Sequence, residues 1–402
     1  MNYNLHMVEN QSLQHRAAWY TFKMFAALRI GTWLWVLLFS MVGGRTIIEP
    51  DVLCKSGSLL ENNLNLNVIL HSAIRWDATC YLLIAEHGYN FQPGLTVWPP
   101  LYPILIRIFA VVFQPFIMAA LIVSSLATWL AFFLLYLIIE KQYNEELARN
   151  TLFLYVIYPL SFFFVSGYTE SIFLCLTILS LWMIQRHSWA WAGISSAFAT
   201  LTRNQGILLS LVLLYEGIYV PFFQKKEKSW NQFFQVLVSA SLPVLVFLGF
   251  ALYVHYSLRI EWPWQTLGRI WAQSTGFPWD GIIGNIKRLF TLPTSTDLYW
   301  LPTTIVDLIM AIIMPVVLVW KEKSMPSSYK VYAWSMLLLS LMKLGPDNIL
   351  VSFSRYALII FPFFAVLAPV VAKPRSRMFL FTLCLISQGM LIYMFYIWSW
   401  AG

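Results

Sequence analysis

Residues 115–139 read PFIMAALIVSSLATWLAFFLLYLII, twenty-five positions without one charged side chain. About 20 apolar residues in a helix suffice to cross a hydrocarbon core of ~30 Å, so this stretch reads as a complete membrane span. Working outward from it, comparable apolar runs occupy 24–42, 151–166, 170–185, 189–202, 205–221, 233–256, 299–320, 331–344, 349–372 and 378–400. Several are short, which in a large bundle means tilting or burial by neighbours. The composition agrees. The chain is 59% hydrophobic and only 11% charged, whereas a soluble domain carries about 25% charged residues. Its 26 Lys and Arg and 18 Asp and Glu cannot furnish a water-facing surface for 402 residues. A soluble enzyme, a secreted disulfide scaffold and a disordered chain are thereby excluded. The expected fold class is an all-α polytopic membrane protein, a bundle of about 11 transmembrane helices forming one integral-membrane domain over residues 1–402.

The stretch 100–113 is the ambiguous one. It begins Pro99-Pro100 and contains Pro103 and Arg107, so it reads better as an interfacial or re-entrant helix than as a crossing. Charge supports that choice. With the N-terminus inside, the loops at 140–149, 186–188, 222–232, 321–330 and 373–377 also fall inside, and together with the N-terminal tail they hold fourteen Lys and Arg. Counting 100–113 as a span would scatter basic loops over both sides. Two large outer segments remain, 43–98 and 257–298, both rich in Trp, Gly and Pro. The second, with Trp262, Trp264, Trp271 and Trp279, suits an aromatic segment lying in the interface. The net charge of +8 reflects these orienting loops, not a basic face for nucleic acid. No n–h–c signal pattern opens the chain, so the first span is expected to act as its own insertion signal. No fixed-period repeat is visible. Of the four cysteines, Cys175 and Cys384 lie in apolar runs and read as packing residues, while Cys54 and Cys80 share the first outer loop, paired or not.

Polar residues placed against expectation collect at the outer ends of the spans. From Ala78 to His87 the first outer loop has a short helical pattern, with Asp77 in the N-cap position and Gly88 just past the end. A carboxylate there faces free N–H groups and the positive end of the helix dipole. Tyr168, Thr169 and Glu170 form another outer turn, Arg203 a third, and Arg355 lies near the outer end of 349–372; Lys343 and Asp347 lie close by. Helix capping is the plainer account of Asp77, and a snorkelling or interhelical ion pair the plainer account of each other residue. Two carboxylates and two arginines on one side favour a shared outward-facing polar cavity. A carboxylate can take the proton of a hydroxyl nucleophile, and guanidinium groups match phosphate geometry. With apolar walls these parts suit group transfer from a lipid phosphate to a hydroxyl. There is no GxxxxGKS or GxGxxG nucleotide loop and no His-rich metal spacing. Glu49-Pro50-Asp51 is the one close acidic pair in the outer loops, and no cofactor or metal is expected.

These residues also carry a family likeness. Arg75-Trp76-Asp77-Ala78, then Tyr81, Ala85-Glu86-His87-Gly88-Tyr89 and Pro100-Leu101-Tyr102-Pro103, resembles the PIG-V family of GPI mannosyltransferases and their bacterial relatives. Tyr158-Pro159-Leu160-Ser161, Gly167-Tyr168-Thr169-Glu170-Ser171, Leu201-Thr202-Arg203 with Gly206, and Ser354-Arg355-Tyr356 follow in the family's order. The likeness spans about residues 70–365.

The resemblance implies a GT-C-type membrane glycosyltransferase that takes a sugar from a polyprenyl-phosphate donor, dolichyl-phosphate mannose in eukaryotes, and inverts the anomeric centre. It implies Asp77 as general base. Arg203 and Arg355 are then assigned to the donor phosphate, Glu170 to a sugar hydroxyl or to Arg203, and Arg75, Trp76 and Tyr168 to substrate binding. Departures lie at Cys80, where the family often has a second aromatic, at Trp98-Pro99, where it often has Phe-Pro, and at Asn204, where it often has Pro or Ser. The first loop is closer to the bacterial members, which build no GPI, so the acceptor becomes another lipid or glycan. The site would face outward from a bacterial plasma membrane, or into the lumen of the endoplasmic reticulum in a eukaryote. The expected partners are membrane lipids, the donor lipid and the acceptor. The rival class is a transporter or flippase of a lipid-linked or amphipathic substrate, for which polar residues at mid-bilayer depth and a pseudo-symmetric repeat are expected.

Overall fold

The computed structural model describes residues 2–41, 54, 67–225, 229–291, 301–397 and 399. A long first helix, α1 (Asn2–Met41), is followed by the short α2 (Asn67–Ser72), α3 (Asp77–His87) and α4 (Leu101–Ala110) of the outer region. The bundle proper then builds from α5 (Phe116–Gln142), α6 (Glu145–Ile157), α7 (Glu170–Gln185), α8 (Trp189–Thr202), α9 (Leu209–Leu214) and α10 (Trp230–Leu252). After α11 (Pro263–Arg269), the strand β1 (Ser274–Thr275) and α12 (Asp280–Phe290), it closes with α13 (Leu301–Trp320), α14 (Ser327–Met342), the strand β2 (Lys343–Leu344), α15 (Phe353–Ala357), α16 (Phe361–Leu367) and α17 (Pro374–Tyr396). Among the described residues six helical stretches are long and apolar enough to cross a membrane: Gln14–Met41, Phe116–Gln142, Asn204–Gln224, Trp230–Ser257, Leu301–Trp320 and Pro374–Tyr396. The protein is an integral, multi-pass membrane protein.

The eleven expected spans are thus not eleven full-length helices. Helix α7 has 16 residues, α8 has 14 and α14 has 16. The run 151–166 is helical only to Ile157, where Tyr158-Pro159 breaks it before a 3-10 turn over Ser161–Val165. A residue ahead of proline is pushed out of the α region, which sets that stop. The run 349–372 is divided as well: Ser352 sits at φ 55, α15 lasts five residues, and Pro362 opens α16. Helix α4, with ten residues, is about 15 Å long and cannot cross. That agrees with its reading as an interfacial or re-entrant element.

Helices α7, α8 and α10 pack through small residues, as lipid-embedded helices do. The Ser180 and Ser196 hydroxyls lie 2.8 Å apart between α7 and α8. A Cβ on Gly193 of α8 would stand 2.6 Å from the Ser239 carbonyl oxygen of α10, so the two backbones meet there. Gly206 is tighter, its missing Cβ falling 2.3 Å from the Thr200 nitrogen, and that contact folds the turn after Arg203 back on α8.

Contacts at the two ends separate as the charge distribution requires. At the end carrying the basic loops, Tyr143 donates to the Ser324 carbonyl at 2.9 Å and Gln185 to the Tyr329 hydroxyl at 3.3 Å. At the other end, Trp271 donates to the Gly94 carbonyl at 3.1 Å, β1 pairs antiparallel with β2, and Cys54 is disulfide-bonded to Cys80. The cysteine question left open by the sequence is settled as a pair, and a disulfide belongs to an oxidising compartment. The outer end is therefore the non-cytosolic one.

Candidate active site

Helix α3 is buried along Ala78–Ala85, so it is a wall of the outer end and not a surface helix. Gly88 at φ 84 terminates it, its N–H returning to the Ile84 carbonyl. The expected N-cap is corrected: Trp76, at φ 53, holds the cap position, and Asp77 is the first helical residue. A positive φ at a bulky residue is strained, and here it swings the following carboxylate toward the interior of the protein. Asp77 keeps 21% side-chain exposure and lines a cavity.

That cavity has a volume of about 900 Å³, at the upper end of ligand-site sizes. Its polar wall comes from Asp77 of α3, Arg203 after α8, Asp307 of α13, Lys343 of β2 and Arg355 and Tyr356 of α15; Trp98, Trp264 and Trp271 supply an aromatic wall.

A chain of alternating charge runs behind this surface. Arg355 Nη1 meets Asp77 Oδ2 at 3.0 Å, and its Nε lies 3.5 Å from Glu170 Oε1. Arg203 Nη1 takes the same Glu170 oxygen at 2.5 Å and the Thr169 hydroxyl at 3.1 Å. Glu170 has no exposed surface. Its charge is tolerated in the interior because two guanidinium groups face it. Aromatic faces complete the setting: the Tyr356 ring lies 5.0 Å from the Arg203 guanidinium and 5.6 Å from that of Arg355, and Tyr168 is 5.3 Å from Arg355. Lys343 donates to the Tyr356 hydroxyl and adds a further cation to the wall. Tyr81, whose phenol burial pushes its pKa up, shares a hydrogen bond of 3.3 Å with Thr169.

Of the residues singled out from sequence, Trp76, Asp77, Arg203 and Arg355 line the cavity, and they come from distant parts of the chain. Arg75, Tyr168 and Glu170 stand one layer back. The Arg75 guanidinium turns away to the His71 carbonyl at 2.7 Å, while its own carbonyl accepts the Tyr168 hydroxyl at 3.0 Å. These two residues therefore fix the Trp76–Asp77 turn. Of the two partners expected for Glu170, the structure has the arginine. Lys343 belongs to the rim as anticipated, while the Asp347 side chain and Glu49-Pro50-Asp51 lie outside the described residues. Asp307, Tyr356 and the tryptophans Trp98, Trp264 and Trp271 escaped the sequence reading as site residues. For Asp307 a signal existed, since it is the single charged residue in the apolar run 299–320. Among the described residues no three His, Cys, Asp or Glu side chains gather as a metal site.

The bundle has a GT-C-type fold. ArnT from Cupriavidus metallidurans, solved bound to undecaprenyl phosphate, superimposes with a TM-score of 0.51 over 89% of this chain and 62% of that one, at 14% identity. At that identity the likeness speaks to the fold. Residues 21–272 match the family described as Mannosyltransferase (PIG-V), and the chain belongs to that family. It is 27% identical to GPI mannosyltransferase 2 of Yarrowia lipolytica over 224 residues, which is 54% of this chain and 59% of that protein. Against GPI alpha-1,6-mannosyltransferase 2 of Homo sapiens it is 25% identical over 206 residues, covering 47% and 41%. The chain thus spans about half the length of the curated relatives it matches. The family match gives the transporter reading no support.

Proposed function

We propose that the protein is an inverting glycosyltransferase, mannosyl by family, moving a sugar from a polyprenyl-phosphate donor to a hydroxyl of a lipid-linked or glycan acceptor at the outer face. The observation that carries this reading is the carboxylate of Asp77, aimed into a 900 Å³ cavity and held by Arg355 at 3.0 Å. In this reading Asp77 takes the proton of the acceptor hydroxyl as its oxygen bonds the anomeric carbon. The bond from that carbon to the phosphate oxygen breaks on the opposite face, and the phosphate departs with the electron pair. A guanidinium carries five N–H donors, so Arg203 and Arg355 can serve a carboxylate and a phosphate together. Trp76 and the cavity tryptophans offer faces to the sugar, and Arg75, Tyr168 and Glu170 hold the groups that touch substrate. Side-chain cations supply the positive charge, so transfer is proposed to proceed without a metal. ArnT, solved with undecaprenyl phosphate bound, is a precedent for binding of a polyprenyl-phosphate carrier. A bacterial plasma membrane, and an acceptor other than a GPI precursor, fit the first-loop residues.

The test is transfer from labelled polyprenyl-phosphate mannose and polyprenyl-phosphate glucose, by the purified protein in detergent with host lipid extract. The wild type is expected to label a lipid or glycan product, and Asp77→Asn to lose about 100-fold or more of the rate. Full activity in Asp77→Asn would remove the base assignment. A wild type showing no transfer, donor hydrolysis or donor binding would overturn the reading.

A further inference from the structure

We infer that Asp307 is a positioning residue for this reaction, fixing the short helix α15 so that Arg355 reaches Asp77; the inference rests on the transferase reading above. Asp307 lies in α13, six residues below its first, or about 9 Å along the helix. It is 5% exposed and borders the cavity. Its Oδ1 accepts the Ser354 N–H at 2.7 Å and also the Ser354 hydroxyl. The Ser354 N–H is one of the donors that a helix start leaves without partners, and Ser352, left-handed at φ 55, provides no side-chain cap of its own. Asp307 supplies that cap from a neighbouring helix. The Tyr158 hydroxyl in turn donates to the Ser354 carbonyl at 2.7 Å.

A five-residue helix cannot hold its own geometry. Yet the residue after Ser354 must span to Asp77 and Glu170, and the next must lie between Arg203 and Lys343. Holding Ser354 at its N–H, hydroxyl and carbonyl fixes the direction of Arg355. A carboxylate inside an apolar span is unfavourable unless something requires it, and here the requirement is the aim of the arginine.

The experiment is a double-mutant cycle on the full-length protein, using Asp307→Ala, Arg355→Met and the two combined, with Asp307→Asn as the conservative variant. Asp307→Ala is expected to lower kcat by about 100-fold and to raise donor KM as well, because Arg355 also addresses the donor phosphate. Asp307→Asn retains an acceptor oxygen and should recover most of the rate. The double variant should be no slower than Arg355→Met alone, because both act through one arginine. Independent, multiplying losses would overturn the inference, and so would an Asn variant as slow as Ala, which would place the charge on substrate. Amide exchange over residues 350–358 gives a readout apart from activity. It should quicken in Asp307→Ala while that of α5 stays unchanged. Unchanged exchange at 350–358 refutes the inference by itself, whereas a wild type without transfer refutes the transferase reading.

Discussion

Glu170 is the residue on which the charge chain turns, since Arg203 at 2.5 Å and Arg355 at 3.5 Å both address one of its oxygens. Removing one partner of a buried ion pair typically costs about 3–5 kcal/mol, because the other charge stays in the interior uncompensated. Glu170→Ala should therefore destabilise by that order, and Glu170→Gln, which keeps a carbonyl acceptor, by less. Thermal unfolding in detergent checks both, and equal melting temperatures for Glu170→Ala and wild type would show that the arginines find other counter-charges. Asp77, Arg203 and Arg355 were legible in the sequence because charged residues at the ends of apolar runs stand out. The directions of Arg75 and Tyr168 were not. Both belong to the right motif, but no pattern of residue types tells whether a guanidinium faces a ligand or a carbonyl behind it. The N-cap assignment failed for a related reason: aspartate is favoured at that position, and the left-handed turn at Trp76, which moves the helix start by one residue, has no sequence mark.

At the scale of elements, hydrophobic runs located the helices but not their breaks. The run 349–372 stays largely apolar because α15 and nearly all of α16 are buried, and nothing in its composition announces that Ser352 is left-handed. That break gives the site Arg355 and Tyr356 on a short separate helix. Helix proximity is likewise decided by single small residues. A side chain at Gly193 would meet backbone atoms of Ser239 at 2.6 and 2.8 Å, whereas nothing lies within 4 Å of a Cβ at Gly249. Gly193→Leu is expected to force α8 and α10 apart and sharply lower the yield of folded protein. Gly249→Ala, in the same α10, should be neutral or stabilise by about 0.5–1 kcal/mol. Size-exclusion profiles and melting curves of the two variants compare a crowded with an open helical glycine, and similar behaviour would deny that α8–α10 contact its structural weight.

For the molecule as a whole, sidedness is the property that makes the cavity usable, because in the proposed reaction a lipid donor and its acceptor arrive on the face where Asp77 opens. Two unrelated observations agree on that face. Fourteen Lys and Arg mark the expected inner loops and tail, and the Cys54–Cys80 disulfide marks the opposite end, beside α3 and the cavity. The first was readable from the sequence, and the second needed the fold to bring the cysteines together. Their agreement makes a prediction that depends on neither the sugar nor the acceptor. Lys323, between α13 and α14, and Ala272, between α11 and β1, are both exposed and lie at opposite ends. In intact cells or sealed vesicles of native orientation, a membrane-impermeant maleimide should label Ala272→Cys and leave Lys323→Cys unmodified until the membrane is opened. Cys175 is buried and Cys384 partly so, which keeps the background low. The reverse labelling would place the cavity in the cytosol, where the disulfide would not persist and a soluble donor would have direct access. The lipid-donor reading would then lose its physical basis together with the orientation.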